Sequence, residues 1–202
     1  NTSFLNMIIK VLRVPSLRTI CWGGFVCGTG LSSTFFLIPL IMVNHGYDRG
    51  EMWIIYLPMM LAGAFMMIFA SVLAEVHNRF REVMLFGIFL LLLSAFAMGI
   101  AQDQQMLLWF VTALFLFFMG FNIFEPIFPS LVTRTTTEET KGTAMGVYNF
   151  AQFFGHFAGA TLAGALYLNN FYILILLIIL AEVWFFYLTL SFTNPEKSIK
   201  KI

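Results

Sequence analysis

The sequence predicts an all-α, polytopic membrane protein with six transmembrane helices. Three observations support this prediction. Six long apolar stretches fill almost all of the 202 residues, 60% of the residues are hydrophobic, and only 10% are charged. The lysines and arginines also fall mainly in alternate gaps between the stretches, as expected of a chain that crosses a membrane repeatedly.

The length of each stretch fits one crossing. A helix rises about 1.5 Å per residue, so crossing a hydrocarbon core about 30 Å thick takes roughly 20 apolar residues. Because a helix satisfies its own backbone hydrogen bonds in lipid, each stretch is expected to be helical, and no run of alternating residues indicates a β-barrel. The six spans are predicted near residues 18–43, 52–75, 83–101, 106–130, 143–168 and 171–192.

The basic residues predict the orientation of the chain. One predicted side of the membrane has Arg49 alone, whereas the other side has ten of the eleven lysines and arginines: Lys10, Arg13, Arg18, Arg79, Arg81, Arg134, Lys141, Lys197, Lys200 and Lys201. Both termini are therefore predicted to be cytoplasmic. The ten residues are spread over four short segments without interleaved aromatic residues, which argues against nucleic-acid binding.

The chain is expected to form one membrane domain, with a cytoplasmic connector at residues 1–16, a helical bundle at 17–193 and a cytoplasmic tail at 194–202. In the connector, Phe4, Ile8 and Leu12 recur at four-residue intervals. This spacing fits an amphipathic helix that ends before Pro15 and lies on the membrane surface, and a disordered arm is the alternative. Because the chain begins at Asn1 and shows no signal peptide, we expect a fragment of a longer protein.

Enzymatic chemistry finds little support in the sequence. There is no H-E-x-x-H, G-x-S-x-G or P-loop motif and no pair of intramembrane aspartates, so neither catalysis nor a cofactor is expected. Cys21 and Cys27 lie on different faces of the first span with no second His or Cys cluster, so no metal site is expected. Ionisable residues within the spans are costly in lipid and are the remaining candidates for function.

Glu125 in the fourth span is the strongest candidate. Asn122 shares its helical face, and Pro126 and Pro129 free backbone carbonyls near the end of this helix, which allows it to bend where it lines a cavity. A carboxyl group in such a place can exchange a proton with the cavity. The alternative is a protonated Glu125 that hydrogen-bonds to a neighbouring helix and serves only structure.

The fifth span carries a matching polar face. Asn149, Gln152 and His156 are spaced three and four residues apart, and Asn149 is expected at about the depth of Glu125. Polar residues at graded depth are typical of a water-accessible substrate cavity, to which Thr34 of the first span is also assigned. His156 titrates near neutral pH and could contribute to proton coupling, or it could be a neutral hydrogen-bonding residue.

Small residues predict where helices approach closely. The pairs of small residues are Gly24 with Gly28, Gly155 with Gly159, and Ala160 with Gly164.

Glu182 lies at the centre of the last span. It is expected either to be protonated and hydrogen-bonded to another helix or to meet a partner outside this chain, with a structural role preferred.

Two regions resemble a known family. The loop at residues 71–81, SVLAEVHNRFR, resembles the G-x-L-x-D-R-x-G-R-[RK] loop between the second and third helices of each half of major facilitator transporters, with Leu73, Glu75 and Arg79 matching. The runs FNIFE and PSL at residues 121–131, followed by KGTAMGVY and QFFG at residues 141–155, resemble the tenth and eleventh helices of YajR-type drug:proton antiporters of bacterial inner membranes.

The resemblance implies that the six spans are the C-terminal half of a major facilitator transporter. The first, second, fourth and fifth spans would then line the central cavity, and the third and sixth would face lipid. Glu75, Arg79 and Arg81 would form a conformational gating loop, in which Glu75 bridges to Arg79 or to a helix N-terminus of the other half. A simple surface ion pair is the alternative for this loop.

The function implied by the resemblance is proton-coupled export of small apolar or amphipathic compounds. Glu125 and His156 would couple protons, and Asn122, Asn149, Gln152 and Thr34 would line the substrate cavity. The implied partners are the N-terminal six-helix half, protons, a small-molecule substrate and the lipid bilayer. A facilitator or importer of the same fold, and a non-transporting membrane subunit, are the alternatives.

Overall fold

The computed structural model describes residues 4–104 and 106–195, and these residues fold into seven α-helices and one short 3-10 helix. The α-helices are α1 (Phe4–Leu12), α2 (Pro15–Asn44), α3 (Trp53–His77), α4 (Phe80–Gln104), α5 (Leu107–Arg134), α6 (Glu138–Leu166) and α7 (Phe171–Leu190). The all-α prediction is confirmed, and helices α2 to α7 correspond one to one with the six predicted spans. Residues 196–202 of the predicted tail, including Lys197, Lys200 and Lys201, lie outside the described residues.

The connector contains the predicted short helix, α1. Pro15, however, begins α2 and does not terminate α1, which ends three residues earlier at Leu12. Proline is well tolerated in the first turn of a helix because its missing N–H has no partner there, and its fixed φ suits the helical backbone. Helix α1 contacts α6, so the connector lies against the bundle.

The helices are longer than several of the apolar stretches. Helix α4 begins at Phe80, before the predicted span at residues 83–101, and α5 continues to Arg134, beyond the predicted span at residues 106–130. Helical hydrogen bonding continues through polar residues, whereas apolar composition marks only the part expected in lipid. Pro126 and Pro129 lie inside α5, which the structure records as one continuous helix.

Three sets of contacts organise the bundle. Helix α2 packs along α6, α5 packs between α3 and α4, and α7 packs on α4 and α2. Between α5 and α7, the fully buried rings of Phe124, Phe128 and Phe185 meet at centroid distances of 4.9 to 6.0 Å. These aromatic contacts join α5 and α7 in one apolar core.

Contacts along α2 and α6 define their relative direction. Gly24 lies beside Tyr148 near the start of both helices, whereas Phe36 and Tyr167 meet near their ends, with ring centroids 6.4 Å apart. The two helices are therefore parallel. Since consecutive helices alternate in direction, the starts of α2, α4 and α6 and the ends of α3, α5 and α7 share one end of the bundle. We call it the basic end, because Arg18, Arg79, Arg81, Arg134 and Lys141 lie there.

Five helices in the described part of the chain are long and apolar enough to cross a membrane: α2, α3, α4, α5 and α7. Helix α6 is not among them, although it has 29 residues. Its composition is more polar because Asn149, Gln152 and His156 lie along it. Since α6 runs parallel to α2 over most of its length, the structure places these polar residues beside a membrane-spanning helix.

Candidate functional site

Four polar residues define one side of the bundle, which we call the polar face: Glu125 of α5 and Asn149, Gln152 and His156 of α6. Glu125 and Asn149 are exposed in this chain, and Gln152 and His156 are half-buried. The structure thus brings together the two predicted proton-coupling residues and two of the four predicted cavity residues. Phenylalanines of α6, including Phe150, Phe153 and Phe157, are exposed on the same helix and make the surroundings of these groups apolar.

His156 is oriented by a neighbour on α2. Its Nδ1 atom lies 3.0 Å from the hydroxyl oxygen of Ser32. The Glu125 carboxyl lies close enough to the imidazole of His156 to interact with it electrostatically, and it also interacts with the Tyr148 hydroxyl. Ser32 therefore links α2 to His156 of α6, whereas Glu125 of α5 makes no hydrogen bond or ion pair with His156 among the described residues.

Close backbone packing of α2 against α6 fixes the position of this group. A Cβ atom added at Gly28 would overlap the carbonyl oxygen of Gln152, and one added at Gly155 would overlap the carbonyl oxygen of Phe25. A Cβ atom added at Gly159 would overlap the carbonyl oxygen of Thr29. The predicted close approaches at Gly24, Gly28, Gly155 and Gly159 are confirmed, whereas Gly164 makes only ordinary van der Waals contact with Phe36.

Hydroxyl groups of α2 add hydrogen bonds to this interface. Thr29 shares its hydroxyl proton between the carbonyl oxygens of Phe25 on α2, at 2.9 Å, and Gly155 on α6, at 3.2 Å. Ser33 donates to the carbonyl oxygen of Gly159 at 3.1 Å. Small residues that let backbones approach, combined with hydroxyls that bond across helices, are typical of tight association in membranes. The α2–α6 pair is therefore a rigid support for Gln152 and His156.

The other two predicted cavity residues, Asn122 and Thr34, contact helices other than α6. Asn122 is half-buried between α5 and α3, where its amide donates to the Phe118 carbonyl at 2.8 Å and lies against Gly63. Thr34 is 7% exposed and lines a small internal cavity on the opposite side of α2. Residues two apart on a helix point about 200° apart, so with Ser32 directed toward α6, Thr34 is directed away from it.

A second polar cluster lies at the basic end. Glu75, at the end of α3, accepts hydrogen bonds from the Ser130 hydroxyl at 2.6 Å and from the Arg134 guanidinium at 3.1 Å. Arg134 also donates to the Ser130 hydroxyl at 3.2 Å, and its guanidinium lies 5.3 Å from the ring centroid of Phe80. Glu75 thus pairs with Ser130 and Arg134 of α5, and the bridge to a helix N-terminus of the other half stays a prediction.

The two other residues of the predicted gating loop have different surroundings. Arg79 lines an apolar pocket between α3 and α4, next to Glu82. The backbone N–H of Arg81 donates to the Asn194 side chain at 2.8 Å, and the Nε atom of Arg81 is buried with no hydrogen-bond partner in the described part of the chain. Asn194, the first residue of the predicted tail, therefore caps the start of α4 with its side chain.

Ser32, Ser130 and Arg134 are the members of these clusters that sequence reasoning missed. Arg134 counted only as an orientation signal, although it follows Ser130 by one helical turn at the same end of the chain as Glu75. That spacing is the sequence signal from which the contact of Ser130 and Arg134 with Glu75 could have been predicted. For Ser32 the sequence offers no comparable signal, because its role depends on which face of α2 meets α6.

Neither cluster resembles a metal centre. Within residues 4–104 and 106–195, no group of three His, Cys, Asp or Glu side chains is arranged to hold a metal ion. Cys21 and Cys27 are buried free thiols on α2. The polar face carries hydrogen-bonding groups and two ionisable side chains, those of Glu125 and His156.

A bundle of long apolar helices is typical of a multi-pass membrane protein, and ionisable groups on one face are typical of those that move solutes or protons. The family model for the Major Facilitator Superfamily matches residues 1–160, and the chain belongs to this family of transporters.

Two relatives extend this result. The chain is 32% identical over 191 residues to the inner membrane transport protein YajR of Escherichia coli (strain K12), which covers 93% of this chain and 40% of that protein. It is 27% identical over 199 residues to an uncharacterized transporter of Buchnera aphidicola subsp. Baizongia pistaciae (strain Bp), which covers 91% of this chain and 48% of that protein. The chain thus spans less than half the length of both curated relatives.

Proposed function

We propose that this chain is the C-terminal six-helix half of a proton-coupled transporter that exports small apolar or amphipathic compounds by alternating access. One observation carries the proposal. The Glu125 carboxyl and the His156 ring interact across α5 and α6 on an otherwise apolar face, beside the amides of Asn149 and Gln152. An ionisable pair in a membrane-embedded face is costly to maintain and is typical of proton relays.

The N-terminal half of the transporter would cover the polar face and complete the central cavity. Glu125, exposed in this chain, would then lie at the wall of that cavity together with Asn149. Apolar side chains such as Phe153 would supply adaptable contacts for varied apolar substrates. One half alone encloses no central pathway, so transport requires both halves.

Proton coupling follows from the charge of Glu125. An ionised carboxyl attracts a cationic substrate, whereas a protonated one releases it, so substrate and proton compete for the same group. Coupling requires that the inward and outward states bind the proton with different affinity. His156, whose Nδ1 lies 3.0 Å from the Ser32 hydroxyl, would use its other ring nitrogen to pass protons between water and Glu125.

The basic end supplies the proposed orientation and gate. Its concentration of arginines and lysines favours the cytoplasmic side, so both termini are proposed to be cytoplasmic. The similarity to an inner membrane transport protein of Escherichia coli supports a location in a bacterial inner membrane. The Glu75–Ser130–Arg134 cluster joins α3 to α5 at this end, where a gate would open toward the cytoplasm.

Gradient-driven efflux tests the proposal. Proteoliposomes containing the complete two-half protein would be loaded with a fluorescent lipophilic cation, and efflux would be followed after a pH gradient is imposed. Wild type is compared with Glu125→Gln and with a matched control, Glu139→Gln, since Glu139 is exposed at the start of α6. We expect efflux from wild type and the control and loss of gradient-driven efflux in Glu125→Gln.

The other outcomes identify the alternatives. Equal gradient-driven flux in Glu125→Gln would refute the coupling role and favour a facilitator or importer. Absence of flux in all three proteins, with ligand binding retained, would refute the proposed substrate class. Absence of both flux and ligand binding would favour a non-transporting subunit.

A further inference from the structure

Glu182 is a buried carboxyl on the side of the bundle away from the polar face. It is the twelfth of the 20 residues of α7, roughly 17 Å along the helix from its start. Only 3% of its surface is exposed, and its Oε2 atom has no hydrogen-bond partner in the described part of the chain. Buried polar atoms are nearly always satisfied, so this oxygen requires an explanation.

A small cavity lies beside this carboxyl. It has a volume of about 30 Å³ and is lined by Glu182 together with Ser33 and Thr34 of α2, Ser94 of α4 and Phe117 of α5. This volume exceeds the roughly 10–15 Å³ that a cavity needs in order to hold a water, and a water is stable in a cavity that offers two to four polar partners. Glu182 and the three hydroxyls provide that number.

The hydroxyls of the cavity are still able to accept hydrogen bonds. Ser33 donates its proton to the Gly159 carbonyl at 3.1 Å, and Ser94 donates to the Ala113 carbonyl at 2.7 Å. Each hydroxyl oxygen keeps lone pairs after donating. The cavity therefore offers acceptors to a hydrogen-bond donor placed within it.

The charges around Glu182 leave a carboxylate without compensation. Cys27 of α2 is the titratable group recorded as interacting with it, and a thiol supplies no positive charge. The charged residues of the packed helices lie toward the ends of the bundle or on the polar face, and no ion pair links any of them to Glu182 among the described residues. Among the residues whose side chains are described, they are Arg18 of α2, Arg81 and Glu82 of α4, Glu125 and Arg134 of α5, and Glu138, Glu139, Lys141 and His156 of α6. An ionised carboxyl buried without a cation is strongly disfavoured relative to its neutral form.

We propose that Glu182 and this cavity form a proton- and water-binding site separate from the polar face. Glu182 holds one proton as a neutral carboxylic acid, and one water in the cavity donates to Oε2 and to the hydroxyl oxygen of Thr34. Because α7 contacts both α2 and α4, the bound proton and water join these three helices within the bundle. The site is independent of the transport proposal.

Infrared difference spectroscopy tests the site in the complete protein in lipid, with wild type compared against Glu182→Gln at neutral and alkaline pH. We expect the variant to lose the C=O stretching band of a protonated carboxylic acid, and this band to persist in wild type at alkaline pH. The matched control Glu139→Gln removes an exposed carboxyl, which should give a carboxylate band at both pH values. A carboxylate band for Glu182 at neutral pH would overturn the proposal.

Two further arms keep the test decisive. The spectra are recorded in sodium and in choline buffers, and conversion of the Glu182 band to a carboxylate band by sodium alone would replace the proton site with a sodium site. Thr34→Val keeps the carboxyl and the side-chain volume but removes one hydroxyl. We expect it to shift the frequency of the Glu182 band, and an unchanged band would overturn the water-binding part even if Glu182→Gln does not fold.

Discussion

Replacing Gly155 by alanine measures how closely α2 and α6 must approach. An added Cβ at this position would overlap the carbonyl oxygen of Phe25 and would lie 3.0 Å from both the carbonyl carbon and the Cα of the same residue. These are backbone atoms, which cannot rotate away as the end of a side chain can. The two helices must therefore separate locally to admit one methyl group.

The matched control is Gly146→Ala on the same helix. A Cβ at Gly146 would have no described neighbouring atom within 4 Å. Both changes replace glycine by alanine inside α6, so the gain in helix stability of about 0.5–1 kcal/mol is common to both and cancels in the comparison. The difference between the variants reports the overpacking at Gly155, which typically costs about 1–3 kcal/mol.

Thermal unfolding of the purified chain in detergent, followed by circular dichroism, checks this difference. For a chain of this length, about 2–4 °C of Tm corresponds to 1 kcal/mol. We expect the Tm of Gly155→Ala to lie about 2–12 °C below that of Gly146→Ala. Equal Tm values for the two variants would refute the close backbone contact between α2 and α6.

Three further predictions concern polar contacts. A double-mutant cycle on Glu75 and Arg134, measured by thermal unfolding, should give a coupling free energy of at most about 1 kcal/mol, because the side chains are 43% and 31% exposed; a coupling several times larger would contradict this assignment. Trp22→Phe removes a 3.1 Å hydrogen bond from the indole to a carbonyl of α7 and should lower unfolding stability by about 0.5–1.5 kcal/mol, whereas unchanged stability would argue against the bond. Ser32→Ala should alter the pH profile of transport without loss of folding, because His156 then lacks its 3.0 Å partner; an identical pH profile would argue against an orienting role.

The sequence predicts the helices well because apolar length is a local property. Each of the six apolar stretches corresponds to one helix, and α1 appears where the four-residue repeat predicts it. The polar stripe of α6 is equally local, since three- and four-residue spacing places Asn149, Gln152 and His156 on one face. Glu125 lies near this stripe because α5 and α6 are neighbours in the bundle.

The sequence did not predict the partners of these residues, because those contacts depend on the tertiary structure. Thr34 and Ser32 are both hydroxyl residues of α2, and only the rotation of the helix decides that Ser32 reaches His156 while Thr34 lines the cavity beside Glu182. Glu75 likewise pairs with Arg134, 59 positions away, because α3 and α5 are parallel neighbours. A loop motif cannot reveal a contact that forms between two helices.

The central claim is that substrate and proton compete for Glu125. Its most direct test adds a lipophilic cationic ligand to the complete protein in weakly buffered detergent solution and records proton release with a pH-sensitive dye, in wild type and in Glu125→Gln. We predict that ligand binding releases protons from wild type and none from a Glu125→Gln variant that still binds the ligand. Equal proton release from both proteins, or binding without release from wild type, would contradict the proposed coupling at Glu125.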